Sequence, residues 1–190
     1  MLDSRGGDVA AAMEIGRIIR SVDGSTHIGE NARCYSSCAL IFISGVNRSN
    51  LGELGLHRPY FASAPLSREE IEKQAPLMRS AVKKYVEEMG ITDSFFERMF
   101  NTDPSEMEIL QIDESEKIVP ATDPVYDEIQ TANLARRYGL TTSEYRKRAS
   151  LASSCYEGIS SGRTPKQVVD CEQPIMWGLS LEDYRRETRL

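Results

Sequence analysis

Ser36, His57 and the Gly6-Gly7 pair are the residues whose types and order could do chemistry together. A serine hydroxyl becomes a nucleophile only when a base can take its proton, and neutral imidazole is the usual base near neutral pH. The chain has two histidines, His27 and His57, and His57 closes the apolar run Glu53 to His57 just before Arg58-Pro59. Gly6-Gly7 precede a helical pattern; glycines allow positive φ and close backbone approach, and a helix start presents free N–H groups. Such donors suit a developing oxyanion. In Cys34-Tyr35-Ser36-Ser37-Cys38-Ala39-Leu40, a serine enters a small apolar helix, and the N–H of Ser37 is the donor next in line. Each feature also has a bland reading: a plain turn for the glycines, a helix cap for the serine, a structural imidazole for the histidine.

The elements that must position these residues follow from periodicity and punctuation. Asp8 to Arg20 repeats Val9, Ala12, Met13, Gly16 and Ile19 at three and four, which predicts a helix capped by Asp8. Thr26 to Glu30 and Glu53 to His57 read as strands, and Ser37 to Gly45 as a buried helix. Ser67 to Met89 is a long amphipathic pattern opened by a Ser67/Glu70 capping box, with Pro76 predicting a kink or break near Ala75. Thr92 to Phe100 is a second helix, Glu108 to Ile112 a strand, and Asp113 to Lys117 a turn or short helix. Asp123 to Ile129 reads as a late strand. Asn133 to Tyr138, Ser143 to Tyr156, Pro165 to Cys171 and Leu181 to Thr188 read as helices.

Composition narrows the function classes. At 190 residues with 40% hydrophobic side chains, the chain can bury a core and is not disordered throughout. A net charge of −6, from 23 basic and 29 acidic residues, with no Lys/Arg block, gives nucleic-acid binding no electrostatic support. No apolar run is long enough to span a bilayer.

The three motifs, in this order, resemble Clp protease subunits of the ClpP/crotonase fold. Ser4-Arg5-Gly6-Gly7-Asp8-Val9 is similar to their Ser-Pro-Gly-Gly-x-Val turn, with Arg5 in place of proline. Ser36 and the run Ala39 to Gly45 resemble their nucleophile helix, and His57-Arg58-Pro59 their His-Gln-Pro. The Cys-x-Ser-x-Cys segment followed by Gly-x-His-Arg-Pro is similar to a group of little-characterised periplasmic bacterial proteins of this fold. The resemblance covers about the first sixty residues, and Met107 to Ile129 loosely. It implies an α/β, ClpP/crotonase-like ββα-spiral domain over residues 1–130, with a helical C-terminal extension over 131–190. The first strands, and any export signal, are expected to lie upstream of Met1.

The same resemblance implies Ser36 as nucleophile, selected over Ser37 by counting back from Gly45. It implies His57 as base, and the N–H groups of Gly6 and Ser37 as the oxyanion hole. The family's third member, an aspartate, aligns with Met107; Asp103, Glu106 and Asp113 are the nearby carboxylates, and Asp103 is the acid candidate. The implied activity is a serine hydrolase acting on a peptide or acyl substrate, without cofactor or metal, in a homo-oligomer, located in the periplasm. A non-catalytic binding or assembly module of the same fold is the alternative. An acyl-CoA enzyme using the oxyanion hole alone is less favoured by the Ser/His pair.

The four cysteines leave their pairing open. Cys155 and Cys171 either bridge, which would contribute about 3 kcal/mol, or remain reduced core thiols. Cys34 and Cys38 are four apart; within one regular helix their Cβ atoms diverge, but a bridge forms if Cys34 precedes the helix, and it would clamp the nucleophile. A metal site from Cys34, Cys38 and His57 lacks a fourth ligand.

Overall fold

Asp8 caps the first helix, its carboxylate accepting from the Ala11 N–H at 2.7 Å, and α1 runs Val9–Ser21 with Ala12, Met13 and Gly16 turned inward. In the computed structural model, which describes residues 1–61, 66–157, 162–180, 182 and 186, the chain divides into two units, Met1–Pro124 and Val125–Leu190. The first unit continues through β1 (Thr26–Ile28), β2 (Arg33–Tyr35), α2 (Ser37–Phe42), β3 (Arg48–Asn50), β4 (Glu53–Leu56), α3 (Arg68–Glu88), α4 (Asp93–Asn101), β5 (Glu108–Leu110) and α5 (Ile112–Ile118). The protein is mixed α/β with small sheets.

The strands pair so that each pass of the chain repeats the one before. β1 pairs parallel with β3 in one sheet, and β2 pairs parallel with β4 in another. The lead-in does the same with single bridges, Leu2 beside Ile28 and Ser4 beside Cys34, both parallel. Two extended segments and a helix therefore recur three times: Leu2/Ser4 with α1, β1/β2 with α2, and β3/β4 with α3. β5 adds an antiparallel edge to β4, with Leu56 opposite Glu108. The parallel strands bury both faces where they meet the helices, so Ile28, Leu54, Leu56, Leu40 and Ile43 are all wholly inaccessible.

α3 passes through Pro76 as one helix, so no break forms near Ala75. Its first ten residues are almost entirely exposed, so water can serve the backbone carbonyl that Pro76 leaves without a donor. Residues 123–129, expected as a strand, begin a helix instead: α6 spans Pro124–Arg137. Pro124 stands at the first helical position, where its fixed φ and missing N–H are favourable. Val125 and Ile129, four apart, are both exposed.

In the second unit, α7 (Thr142–Tyr156) is capped by Thr141, and α8 (Pro165–Trp177) opens with a Thr164/Gln167 capping box. Cys155 and Cys171 are joined, stapling α7 to α8. Arg148 donates to the Met176 carbonyl at 2.8 Å near the same end of α8. Of the helix expected over Leu181 to Thr188, all but Glu182 and Arg186 lies outside the described residues.

One packing contact locks the helices behind the site. Tyr85 of α3 is fully buried and donates its hydroxyl to the Leu40 carbonyl of α2 at 2.9 Å. Burial pushes its phenol up to about 12. Gly16 of α1 sits directly beneath it: a Cβ there would overlap the hydroxyl, with Tyr85 Cζ only 2.9 Å away. Gly16→Ala should therefore cost about 1–3 kcal/mol of overpacking in urea denaturation. Tyr85→Phe alone should cost about 1 kcal/mol for the lost hydrogen bond. In the double variant the two costs should sum to less than additive, because the overlapping atom is gone; strict additivity would contradict the contact.

Candidate functional site

The carboxyl ends of three adjacent parallel segments converge. β2 lies between the Ser4 segment and β4: Tyr35 N–H donates to the Ser4 carbonyl at 3.0 Å, and Ser36 N–H to the Gly55 carbonyl at 2.9 Å. Ser4-Gly6, Ser36 and His57 thus leave the ends of three neighbours, the place where open parallel sheets leave a crevice. Parallel neighbours stand ~4.8 Å apart, so the three sets of side chains are local to one another despite the 52 residues that separate Ser4 from His57 in sequence.

Ser36 turns from β2 straight into α2, with φ 57 and ψ −124. A serine at positive φ is uncommon and costs of order 1–3 kcal/mol. Only Ser36 and Asp23 among the described non-glycine residues adopt positive φ. The Ser36 hydroxyl makes no capping bond, so it is not serving as an ordinary helix cap. Gly6, itself at φ +97, presses against the turn: a Cβ on it would stand 2.7 Å from Tyr35 O, 2.8 Å from Ser36 Cβ and 3.2 Å from Ser37 N. The N–H of Ser37, at the start of α2, faces this approach with no hydrogen-bond partner among the described residues. The Gly6 N–H is engaged, donating to Ser4 Oγ at 3.1 Å. An oxyanion would have to displace that freely rotating hydroxyl.

Cys34 and Cys38 form a disulfide, with Cα atoms 5.1 Å apart. Cys34 ends up in β2 and Cys38 in α2, so the regular-helix objection does not arise, and Ser36 is the middle residue of the closed ring. Both cysteines are buried.

His57 follows the last residue of β4 and is 7% exposed. Its Nδ1 lies 3.0 Å from the Arg58 carbonyl oxygen. A carbonyl can only accept, so Nδ1 carries the proton and a neutral ring presents the Nε2 lone pair, the tautomer a serine's base needs. Ser36 and His57 are not hydrogen-bonded to each other among the described residues. Such bonds often close only once substrate is bound.

Among the described residues no carboxylate is hydrogen-bonded or ion-paired to His57. Asp103 is exposed, accepts from the hydroxyl and N–H of Ser105 at 2.7 and 2.9 Å, and pairs with Arg58 at 3.6 Å. The Ser105 hydrogen bonds hold its carboxyl below the usual range, with Arg58 adding to the effect. It reaches the histidine's neighbour rather than the histidine. Glu106 and Asp113 make no hydrogen bond or ion pair with the ring either. Continuing the β4–β5 register one residue past Leu56–Glu108 sets Met107 opposite His57. Met107 Sδ borders Gly55 on the same face, where Tyr35 Cδ1 also lies. The residue that this register sets opposite His57 therefore carries a thioether and no carboxylate.

Two features escaped the sequence reading. Arg58 N–H donates to the Thr102 carbonyl at 3.0 Å, which steadies the peptide whose carbonyl holds His57. Tyr35, beside the serine, donates its hydroxyl to Glu53, and that bond raises the Tyr35 phenol above its ordinary value. Neither has a spacing signal: a backbone carbonyl is anonymous in sequence, and Tyr35 and Glu53 become neighbours only when β2 and β4 pair.

No group of three or more His, Cys, Asp or Glu side chains suited to a metal occurs among the described residues, and no helix among them is long and apolar enough to cross a membrane. No protein-family model matches this chain, and no curated protein matches it either.

Gly6→Ala should be the most damaging single-methyl change at the site, because both its φ and its surroundings exclude a Cβ. We expect a loss of about 1–3 kcal/mol in chemical denaturation, with the Ser36 and Ser37 amide resonances displaced in heteronuclear NMR spectra. A Gly7→Ala control, whose Cβ would meet nothing within 4 Å, should leave those resonances in place.

Proposed function

We propose that this chain is a serine hydrolase of the ClpP/crotonase type, cleaving a peptide or acyl bond through an acyl-enzyme on Ser36. The observation that carries the reading is the strained turn: a serine at positive φ, uncapped, at a strand-to-helix junction against which Gly6 packs, with a histidine at the end of the adjacent strand. The recurrence of two extended segments and a helix supports a ββα spiral.

In this reading Ser36 Oγ attacks the substrate carbonyl carbon while its proton passes to His57 Nε2. The carbonyl oxygen becomes an oxyanion facing the Ser37 N–H, with Gly6 N–H joining when Ser4 releases it. Collapse expels the leaving group, which takes the proton from His57, and water then repeats the sequence to free Ser36. The Arg58 carbonyl does the orienting half of the missing acid's work by fixing the tautomer. It carries no full charge, so it stabilises the imidazolium less than a carboxylate does. The two disulfides favour an oxidising, periplasmic location, and the homo-oligomer implied by the resemblance belongs to the same proposal.

A second reading, a binding or assembly module with a vestigial site, is favoured by the thioether at Met107 and by the engaged Gly6 N–H. Fluorophosphonate labelling separates the two. The folded chain should label, Ser36→Ala should not, and Ser37→Ala should. His57→Ala should slow labelling by about a hundredfold or more. Absence of labelling in the folded wild-type chain would leave the binding-module reading standing.

A further prediction addresses the acid. Met107→Asp places a carboxylate opposite His57, and it should raise the labelling rate of Ser36 about tenfold or more by stabilising the imidazolium. An unchanged rate in a folded variant would mean that His57 does not act as the base.

A further inference from the structure

We infer that the Cys34–Cys38 disulfide is the positioning element of the nucleophile: closed, it holds Ser36 in its positive-φ conformation against Gly6, and opened by reduction it silences the serine. The inference rests on the serine-hydrolase reading for its activity consequence, but its structural half stands separately.

Four observations lead here. First, positive φ at a serine is unfavourable, and the Ser36 side chain makes no hydrogen bond among the described residues that would stabilise it locally. Something outside the residue must hold the conformation. Second, the backbone bonds around it fix only the two sides. Ser36 N–H is tied to Gly55 O and Ala39 N–H to Ser36 O, while the N–H of Ser37 has no partner among the described residues. Third, α2 is only six residues long, too short to sustain its first turn by its own hydrogen bonds. Fourth, the disulfide joins the strand residue two before Ser36 to the helix residue two after it. It is the one covalent link across the turn, and both of its ends are anchored in the core.

The other bridge gives the contrast. Cys155–Cys171 closes a longer loop between α7 and α8, in the second unit, and encloses none of the site residues. It is a staple for a helical pair. Cys34–Cys38 closes a ring of five residues whose centre is the proposed nucleophile, so it restricts conformation more than it joins distant chain.

Reduction is a two-electron exchange. A dithiol supplies two electrons and two protons, Cys34 and Cys38 become thiols, and the dithiol leaves as its cyclic disulfide. The turn is then free to relax to negative φ. That swings the Ser36 hydroxyl and the Ser37 N–H away from the Gly6 side, where the oxyanion would form. Cys34 and Cys38 touch no substrate atom in this account; they act through Ser36.

The test compares the oxidised full chain with Cys34→Ala/Cys38→Ala and with Cys155→Ala/Cys171→Ala. Two readouts are followed: the fluorophosphonate labelling kinetics of Ser36, and the strong intraresidue HN–Hα NOE that a positive-φ residue gives in NMR. The Cys34/Cys38 variant should fold by circular dichroism, lose that NOE, and label about tenfold or more slowly. The loss should fall on the limiting rate constant, with the apparent affinity for the probe unchanged. The Cys155/Cys171 variant should keep the NOE and the wild-type rate. Retention of both in the Cys34/Cys38 variant overturns the inference. If that variant does not fold, the wild-type chain is treated with dithiol under native conditions and followed by the same two readouts; loss of fold there as well assigns the bridge to global stability and overturns the inference too. Failure of the oxidised wild-type chain to label at all counts against the hydrolase reading, and the NOE comparison still decides whether the bridge holds the turn.

Discussion

The turn at Ser36 is the constraint around which the first unit is arranged. The chain leaves β2 and enters α2 within one residue, a serine that stands at positive φ. Gly6 must then be a glycine, because any side chain would collide with Tyr35 O and Ser36 Cβ. β4 must lie beside β2 in parallel, because the Gly55 carbonyl takes the Ser36 N–H. Gly55 in turn has no room for a Cβ, with Tyr35 and Met107 against it. Each requirement follows from close approach of backbone to backbone, and together they bring His57 to the same edge.

Behind that edge the helices are held by a buried polar cluster. Arg48 of β3 is 5% exposed and donates to the carbonyls of Ile43, Met89 and Pro120, at 3.0, 3.2 and 2.9 Å. Burial lowers its guanidinium to about 10, which still leaves it charged at neutral pH. Arg20 of α1 pairs with Asp123 at 2.7 Å and also reaches Met89 O. The end of α2, the end of α3 and the segment before α6 therefore share one set of donors. Carbonyls at helix ends need partners, and two arginines supply them here. This cluster fixes where α2 ends, as the Cys34–Cys38 bridge fixes where it begins.

The surroundings of His57 are also a matter of local geometry. The His57 ring has turned to its own neighbour's carbonyl, and Asp103 has turned to Arg58 and Ser105. The segment carrying Asp103 is tied to the histidine's strand through Arg58 N–H and Thr102 O, so the carboxylate is near without being directed at the ring. A peptide carbonyl supplies direction without charge. That distinction separates a histidine in the right tautomer from one whose cation is strongly stabilised.

The local settings of the candidate residues were largely legible in the sequence. Gly6-Gly7 before a capped helix, Ser36 at the mouth of an apolar segment and His57 at a strand end are local signals, and local chemistry decides them: glycine at positive φ, Asp8 capping α1, the Ser67/Glu70 box opening α3. Both cysteine pairings were open by spacing; three-dimensional placement closed them. The short strands β2 and β3 were not legible, because Arg33–Tyr35 and Arg48–Asn50 have little apolar patterning and exist as strands through their parallel partners. The helical start of α6 went against its strand-like composition, since Pro124 preorganises a helix. What the sequence by itself determined is which residues could react and which turns could carry them. Only the tertiary structure decided that the strand register sets Met107 across from His57, that Arg58 O accepts a hydrogen bond from His57 Nδ1–H, and that Arg48 ties the helix ends together. Those contacts join residues far apart in the chain, and their geometry is set by strand pairing and burial, which no local pattern records.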